Sequence, residues 1–125
     1  MKHQILFTES AAKELTYLAK KDQGVSNLLK SKISLLQDIE VSDASKSGKI
    51  KLIKGVSGKT TKSLRQKGYN PHIYEYRDFP DKYPFRVFFI VKDTTFIVLM
   101  IIHHKEMKSK FEESLENLVN KVIKE

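Results

Sequence analysis

PFRVFFIVKDTTFIVLMIIHHK, residues Pro84 to Lys105, is the most apolar stretch of the chain. It reads as two strands, about Phe85 to Lys92 and Thr95 to His103, joined at Asp93-Thr94. The first strand is apolar on both faces except at Arg86, and the second stays so up to His103. Such a pair belongs at the centre of a sheet covered on both sides, not at a half-exposed edge. The turn decides which histidine shares a face with Arg86. A two-residue turn, Asp93-Thr94, puts Arg86 opposite Ile101, with His103 on its face. A three-residue turn, Asp93-Thr94-Thr95, shifts the ladder by one and gives that place to His104.

The rest of the chain must supply the covers. Gln4 to Thr8 is a short strand, and Thr8-Glu9-Ser10 offers a helix N-cap with an acid in the first turn. Ala11, Leu15 and Leu18 then mark one face of a helix running from Glu9 to about Asp22. Asp22-Gln23-Gly24 breaks it. Val25, Leu28, Leu29, Ile33, Leu36 and Ile39 line a second helix, from about Val25 to Glu40. So short a link predicts a helical hairpin. Asp43 to Gly48 reads as a loop, and Lys49 to Val56 as a weak strand alternating cation and apolar residue. From Ser57 to Pro71 the pattern is lost. The expectation there is a mobile basic loop with at most one helical turn around Lys62 to Gln66. His72 to Phe79 is a strand candidate, and Phe79 to Pro84 a turn. Met107, Phe111, Leu115, Leu118, Val122 and Ile123 form a stripe on a last helix, from about Lys105 to Lys124. Together these predict one α+β domain over residues 1–125: an N-terminal helical hairpin on a small, mainly antiparallel sheet, with a C-terminal helix over the other face.

The charge is unevenly placed. Between Asp43 and Glu75 there is no acidic residue, but there are Lys46, Lys49, Lys51, Lys54, Lys59, Lys62, Arg65 and Lys67. The other 15 of the 23 basic residues are balanced by the 15 acidic ones, so this one segment carries the whole excess of +8. A concentrated excess attracts polyanions. There is no cysteine, which excludes disulfides and thiolate chemistry and fits a reducing cytoplasm. The longest apolar run, Phe96 to Ile102, is far shorter than the roughly twenty residues a membrane span needs. A soluble protein without a membrane partner is expected.

No cofactor motif is present. Gly55 to Thr61 (GVSGKTT) superficially suggests a phosphate loop, but the glycine spacing is wrong and no buried strand precedes it. His103 and His104 are adjacent on a strand, point to opposite faces and cannot chelate one metal ion. What remains is a set of polar residues at strand ends: Glu75, Tyr76, Arg77, Arg86, His103, His104 and Lys105. Strand parity puts Glu75 with Arg77, and Tyr74 with Tyr76. A histidine and an arginine on one face suit RNA cleavage. The ribose 2′-OH must lose a proton, the 5′-oxygen must gain one, and the phosphate charge must be neutralised. The bland reading is that the histidines are exposed strand-end residues and the arginines pair with Glu75, Asp78 or Asp81.

FTESAAKELTYL (Phe7 to Leu18), KLIKG (Lys51 to Gly55), IYEYR (Ile73 to Arg77), FRVFFIVKD (Phe85 to Asp93) and the strand from Ile97 to Lys105 occur in an order that resembles the RelE/ParE superfamily of bacterial toxins. FTESAAKELTYL, from Phe7 to Leu18, is similar to its first strand and helix. Lys51 to Gly55 (KLIKG) resembles its short strand, and Ile73 to Arg77 (IYEYR) its "YELR" strand, with Tyr76 where leucine is usual. Phe85 to Asp93 (FRVFFIVKD) and Ile97 to Lys105 are similar to its last two strands. The resemblance covers about residues 5–105. It implies a RelE-like fold and the toxin of a type II toxin–antitoxin pair, a metal-independent mRNA endoribonuclease working at the ribosome. Its partners would be a cognate antitoxin, mRNA and the ribosome, with no cofactor. The alternatives are a ParE-like inhibitor of DNA gyrase and a non-catalytic basic nucleic-acid-binding module. By position, Arg86 would bind phosphate or stabilise the transition state, His103 or His104 would transfer protons, and Arg77 and Lys54 would hold the RNA backbone. Lys105 lies beside the histidines, and Lys59, Lys62, Arg65 and Lys67 of the basic segment complete the expected RNA-binding set. The Ser57–Pro71 insert and the long C-terminal helix depart from the family's pattern.

Overall fold

The central hairpin forms as its apolar pattern demands. In the computed structural model, which describes residues 3–40, 46, 48–53, 57–107 and 111–124, β4 spans Phe85–Lys92 and β5 spans Thr95–His103. Asp93 and Thr94 make the turn. Asp93 takes a φ of 53°, a left-handed conformation that a short aspartate tolerates and a twisted hairpin favours. Lys92 pairs with Thr95, as a two-residue turn requires. The ladder then slips. Phe89 faces Val98 but Phe88 faces Met100, so Leu99 is an extra, unpaired residue, a β-bulge. Beyond it Arg86 faces Ile102 and Phe85 faces His103. The turn follows one of the two expected registers and the open end of the hairpin follows the other.

The hairpin sits inside a five-stranded mixed sheet of order β1-β5-β4-β3-β2. β1 (Gln4–Phe7) runs parallel to β5, while β3 (Tyr74–Tyr76) and β2 (Ile50–Leu52) extend the sheet antiparallel beyond β4. The two sheet faces carry two separate cores. On one, Val87, Phe89, Phe96, Val98 and Tyr76 pack with Ala11 of α1 (Glu9–Lys21) and with Val25, Leu29 and Ile33 of α2 (Gln23–Ser34). On the other, Phe88, Ile90 and Leu99 pack with Leu64 of α3 (Gly58–Gln66) and with Leu115, Val119 and Ile123 of α4 (Phe111–Ile123). The domain is therefore α+β, with helices on both faces of the sheet. Among the described residues, no helix is long and apolar enough to cross a membrane.

Local chemistry explains the boundaries. Thr8 caps α1 by accepting from the Ala11 N–H. Asp22 ends α1 and starts α2 at once: its N–H donates to the Leu18 carbonyl, and its Oδ1 accepts from Gly24 and Val25. The break is thus one residue, not three. α2 stops at Ser34 and tightens into a 3₁₀ turn, Leu35–Asp38, so the helix expected to reach Glu40 is shorter. β3 keeps only the centre of the expected His72–Phe79 strand. Among the described residues the last helix spans Phe111–Ile123, and a 3₁₀ turn at His104–Glu106 comes before it in the chain. Most of the Asp43–Gly48 loop, and Lys54 to Val56 of the weak strand, lie outside the described residues.

The largest departure is α3. The segment read as a mobile basic loop is a nine-residue helix, capped where the Ser57 hydroxyl accepts from the Thr60 N–H. Its Thr60 and Leu64 are buried and its cations are exposed.

Tyr76 is fully buried in the core against α1 and α2, and its hydroxyl has no hydrogen-bond partner among the described residues. Burial, helped by the negative charge of Asp78, pushes its pKa from 10.0 up to about 12. The fold therefore favours the protonated phenol. That contribution is complete below pH 10 and is lost as pH rises from 10 to about 12. Tyr76→Phe is expected to flatten this alkaline loss in urea unfolding followed against pH. At neutral pH it should cost less than about 1 kcal/mol, since no hydrogen bond is lost.

Candidate functional site

One open cleft of about 350 Å³ lies on the α3/α4 side of the sheet, at the end where the N-terminus of α4 meets the strands. Lys51, Glu75, Phe88 and Met100 form one cross-strand row over β2, β3, β4 and β5, and the cleft opens at its Lys51–Glu75 end. Arg77, Arg86 and His104 surround the polar end of that row, while Met107, Phe111 and Glu112 form the wall. The Phe111 ring packs 5.7 Å from that of Phe88, which ties this wall to the core.

Three basic side chains, Lys51, Arg77 and Arg86, therefore share the cleft with two acidic ones, Glu75 and Glu112, and with His104. Glu75 is only 7% exposed. A carboxylate so buried needs compensation. Arg77 supplies it, with its Nε 3.6 Å from Oε1, and Lys51 is its direct neighbour in the ladder. Arg86 is half-buried, and its Nη1 donates to the Phe85 carbonyl at 3.0 Å. That contact uses one of five guanidinium donors and fixes the side chain at the cleft. Among the described residues, no carboxylate lies within ion-pair distance of Arg86.

The two histidines have separate environments. His104 begins the 3₁₀ turn, lines the cleft and is exposed, with its backbone N–H donating to the Pro84 carbonyl at 2.7 Å. His103 points to the opposite face. Its ring stands edge-on to Phe85 at 5.4 Å, and its Nδ1 accepts from the Lys105 N–H at 3.2 Å. The imidazole of His103 is thereby used as a cap. The bulge at Leu99 causes this division, because it turns the last residues of β5 over relative to the turn.

No protein-family model, curated protein or solved structure matches the chain. Its chemistry has to be read from its own geometry. Of the expected residues, Arg77, Arg86 and His104 converge on the cleft. His103 and Lys105 are not in its lining, and neither are Lys59, Lys62, Arg65 and Lys67, which belong to α3 and its C-terminal end. Lys54 lies outside the described residues. Lys51, Glu112, Met107 and Phe111 are additions, and Glu75 gains a place in the cleft that its strand-end position only hinted at. The signal for Lys51 was the alternation of cation and apolar residue in its strand. At the resemblance to a phosphate loop, the Ser57 N–H donates to the Glu116 carboxylate at 2.6 Å, so the chain's own anion occupies that position. Among the described residues, no three histidine, aspartate or glutamate side chains group to hold a metal ion.

Proposed function

We propose that the protein is a metal-independent endoribonuclease, the RelE-like toxin of a bacterial toxin–antitoxin pair that cuts mRNA at the ribosome. The observation carrying this reading is the convergence of Arg77, Arg86, Glu75 and His104 on one open cleft. The ordered resemblance of the strands to that superfamily supports it. In the proposed reaction the Glu75 carboxylate takes the proton of the ribose 2′-OH. The 2′-oxygen attacks the adjacent phosphorus, the bond from phosphorus to the 5′-oxygen breaks, and protonated His104 gives its proton to that oxygen. The products are a 2′,3′-cyclic phosphate and a 5′-hydroxyl end. Arg86 neutralises the charge that builds on the phosphate oxygens. Arg77, with its Nε 3.6 Å from the Glu75 carboxylate, holds that side chain in place, and Lys51 borders the track of the backbone.

The test is cleavage of an mRNA in a translation extract, with the new 5′ ends mapped and their chemistry determined. Cuts leaving 5′-hydroxyl ends are expected. Arg86→Ala should lower the rate by about 10²–10³-fold while the thermal midpoint stays within a few degrees. Full activity of that variant, or growth arrest on induction with all RNA intact, would remove the endonuclease reading. The second outcome would point to gyrase.

A further inference from the structure

A second surface stands apart from the cleft. α3 and the C-terminal half of α4 enclose a groove of about 460 Å³, lined by Lys59, Ser63, Gln66, Lys67, Asn120 and Lys124. The α3 residues recur at spacings of four, seven and eight, which places them on one helix face. Lys59 to Lys67 spans about 12 Å along the axis. The cleft is bordered by the first turn of α4 and this groove by its last, so they lie at opposite ends of that helix.

The lining is chemically one-sided. It offers three ammonium groups, two amides and a hydroxyl, and no described carboxylate. None of Lys59, Lys67 or Lys124 has an ion-pair partner among the described residues. Lys62 and Arg65 extend the same charge over the exposed side of α3. The lining has no aromatic side chain, so unstacked bases would find no platform. Its one apolar member, Ile123, is already buried in the core, so a peptide would find no apolar anchor point. What suits such a row of donors is a run of phosphates held at fixed spacing, read without regard to sequence.

We infer that the α3/α4 groove is a second nucleic-acid site, which grips the phosphodiester backbone of a helical RNA segment without cutting it. The site is independent of the cleavage reading, since binding to a duplex can be measured whether or not the cleft is active.

The experiment measures fluorescence anisotropy of a short labelled RNA duplex with the full chain over a salt series. Binding should weaken steeply with salt. The triple variant Lys59→Ala/Lys67→Ala/Lys124→Ala should lose at least about tenfold in affinity. It should also flatten the slope of log K against log salt by about 2–3, close to 0.9 for each phosphate contact removed. Lys30→Ala, which removes an exposed cation of α2 outside both the cleft and the groove, should bind the duplex as the parent does. If the triple variant fails to fold, Lys59→Ala alone carries the test, with a slope change of about 0.9. Unchanged affinity and slope in the folded variant would overturn the inference. So would polyglutamate displacing the duplex at equal charge concentration, which would make the groove a site for an acidic protein segment.

Discussion

His104→Ala is expected to lower RNA cleavage by about 10²–10⁴-fold, while His103→Ala leaves it within a few-fold of the parent. The two residues are adjacent in sequence and share a side chain, so only their surroundings separate them. His104 is exposed in the same cleft as Arg86 and Glu75, the residues to which the proposed reaction assigns the phosphate and the other proton. His103 uses its Nδ1 lone pair on the Lys105 N–H and sets its ring edge-on to Phe85, on the side of the sheet covered by α1 and α2. Losing it removes a cap and an aromatic contact, a cost of about 1 kcal/mol in stability. The paired measurement is the single-turnover cleavage rate beside the urea midpoint of each variant. A larger rate loss from His103→Ala than from His104→Ala would reject the assignment.

Leu64→Ala is expected to cost about 2–5 kcal/mol in unfolding free energy. Leu64 is the one large apolar side chain that α3 inserts into the second core, and it is 0% exposed among Ile73, Phe88, Leu99, Leu115 and Val119. Truncation leaves a cavity at the junction of two helices and the sheet, and the rigid sheet beneath has little freedom to close it. Leu35→Ala serves as the contrast. Leu35 is 48% exposed, and its change should stay within about 0.5 kcal/mol. Urea unfolding reads both. Were residues 57–71 a loosely held loop, the two substitutions would cost the same.

The hairpin was legible because its evidence is redundant: two apolar runs of strand length, a short turn and a lone arginine all require the same pairing. Its ends match the expected residues, Phe85–Lys92 and Thr95–His103. The helix α3 was not legible because periodicity needs several apolar residues. Within GKTTKSLRQ only Leu64 is strongly apolar, so no face repeats. The one readable signal was Ser57 as an N-cap, and the glycines beside it pointed towards a loop instead. The bulge was illegible for the opposite reason. Phe96 to Ile102 is apolar throughout, so a residue slipped from one face to the other leaves no mark in the pattern. Parity could therefore name Arg86 as a site residue but could not choose its histidine. The separation of the α3 cations from the cleft is likewise a property of helix packing that charge counting along the chain does not contain.

The bulge gives this hairpin a slack of one residue. A chain lacking Leu99 would pair Met100 with Phe88 and Ile102 with Arg86 as before, in an unbroken ladder, at the cost of one buried side chain. Its second histidine would still open onto the cleft, one residue nearer the turn. Two proteins of this design can thus hold the same cleft arrangement while disagreeing by one when counted from Asp93-Thr94. Correspondence between them runs from the Pro84 end, where Phe85 and Arg86 hold their partners whatever the length of the strand beyond.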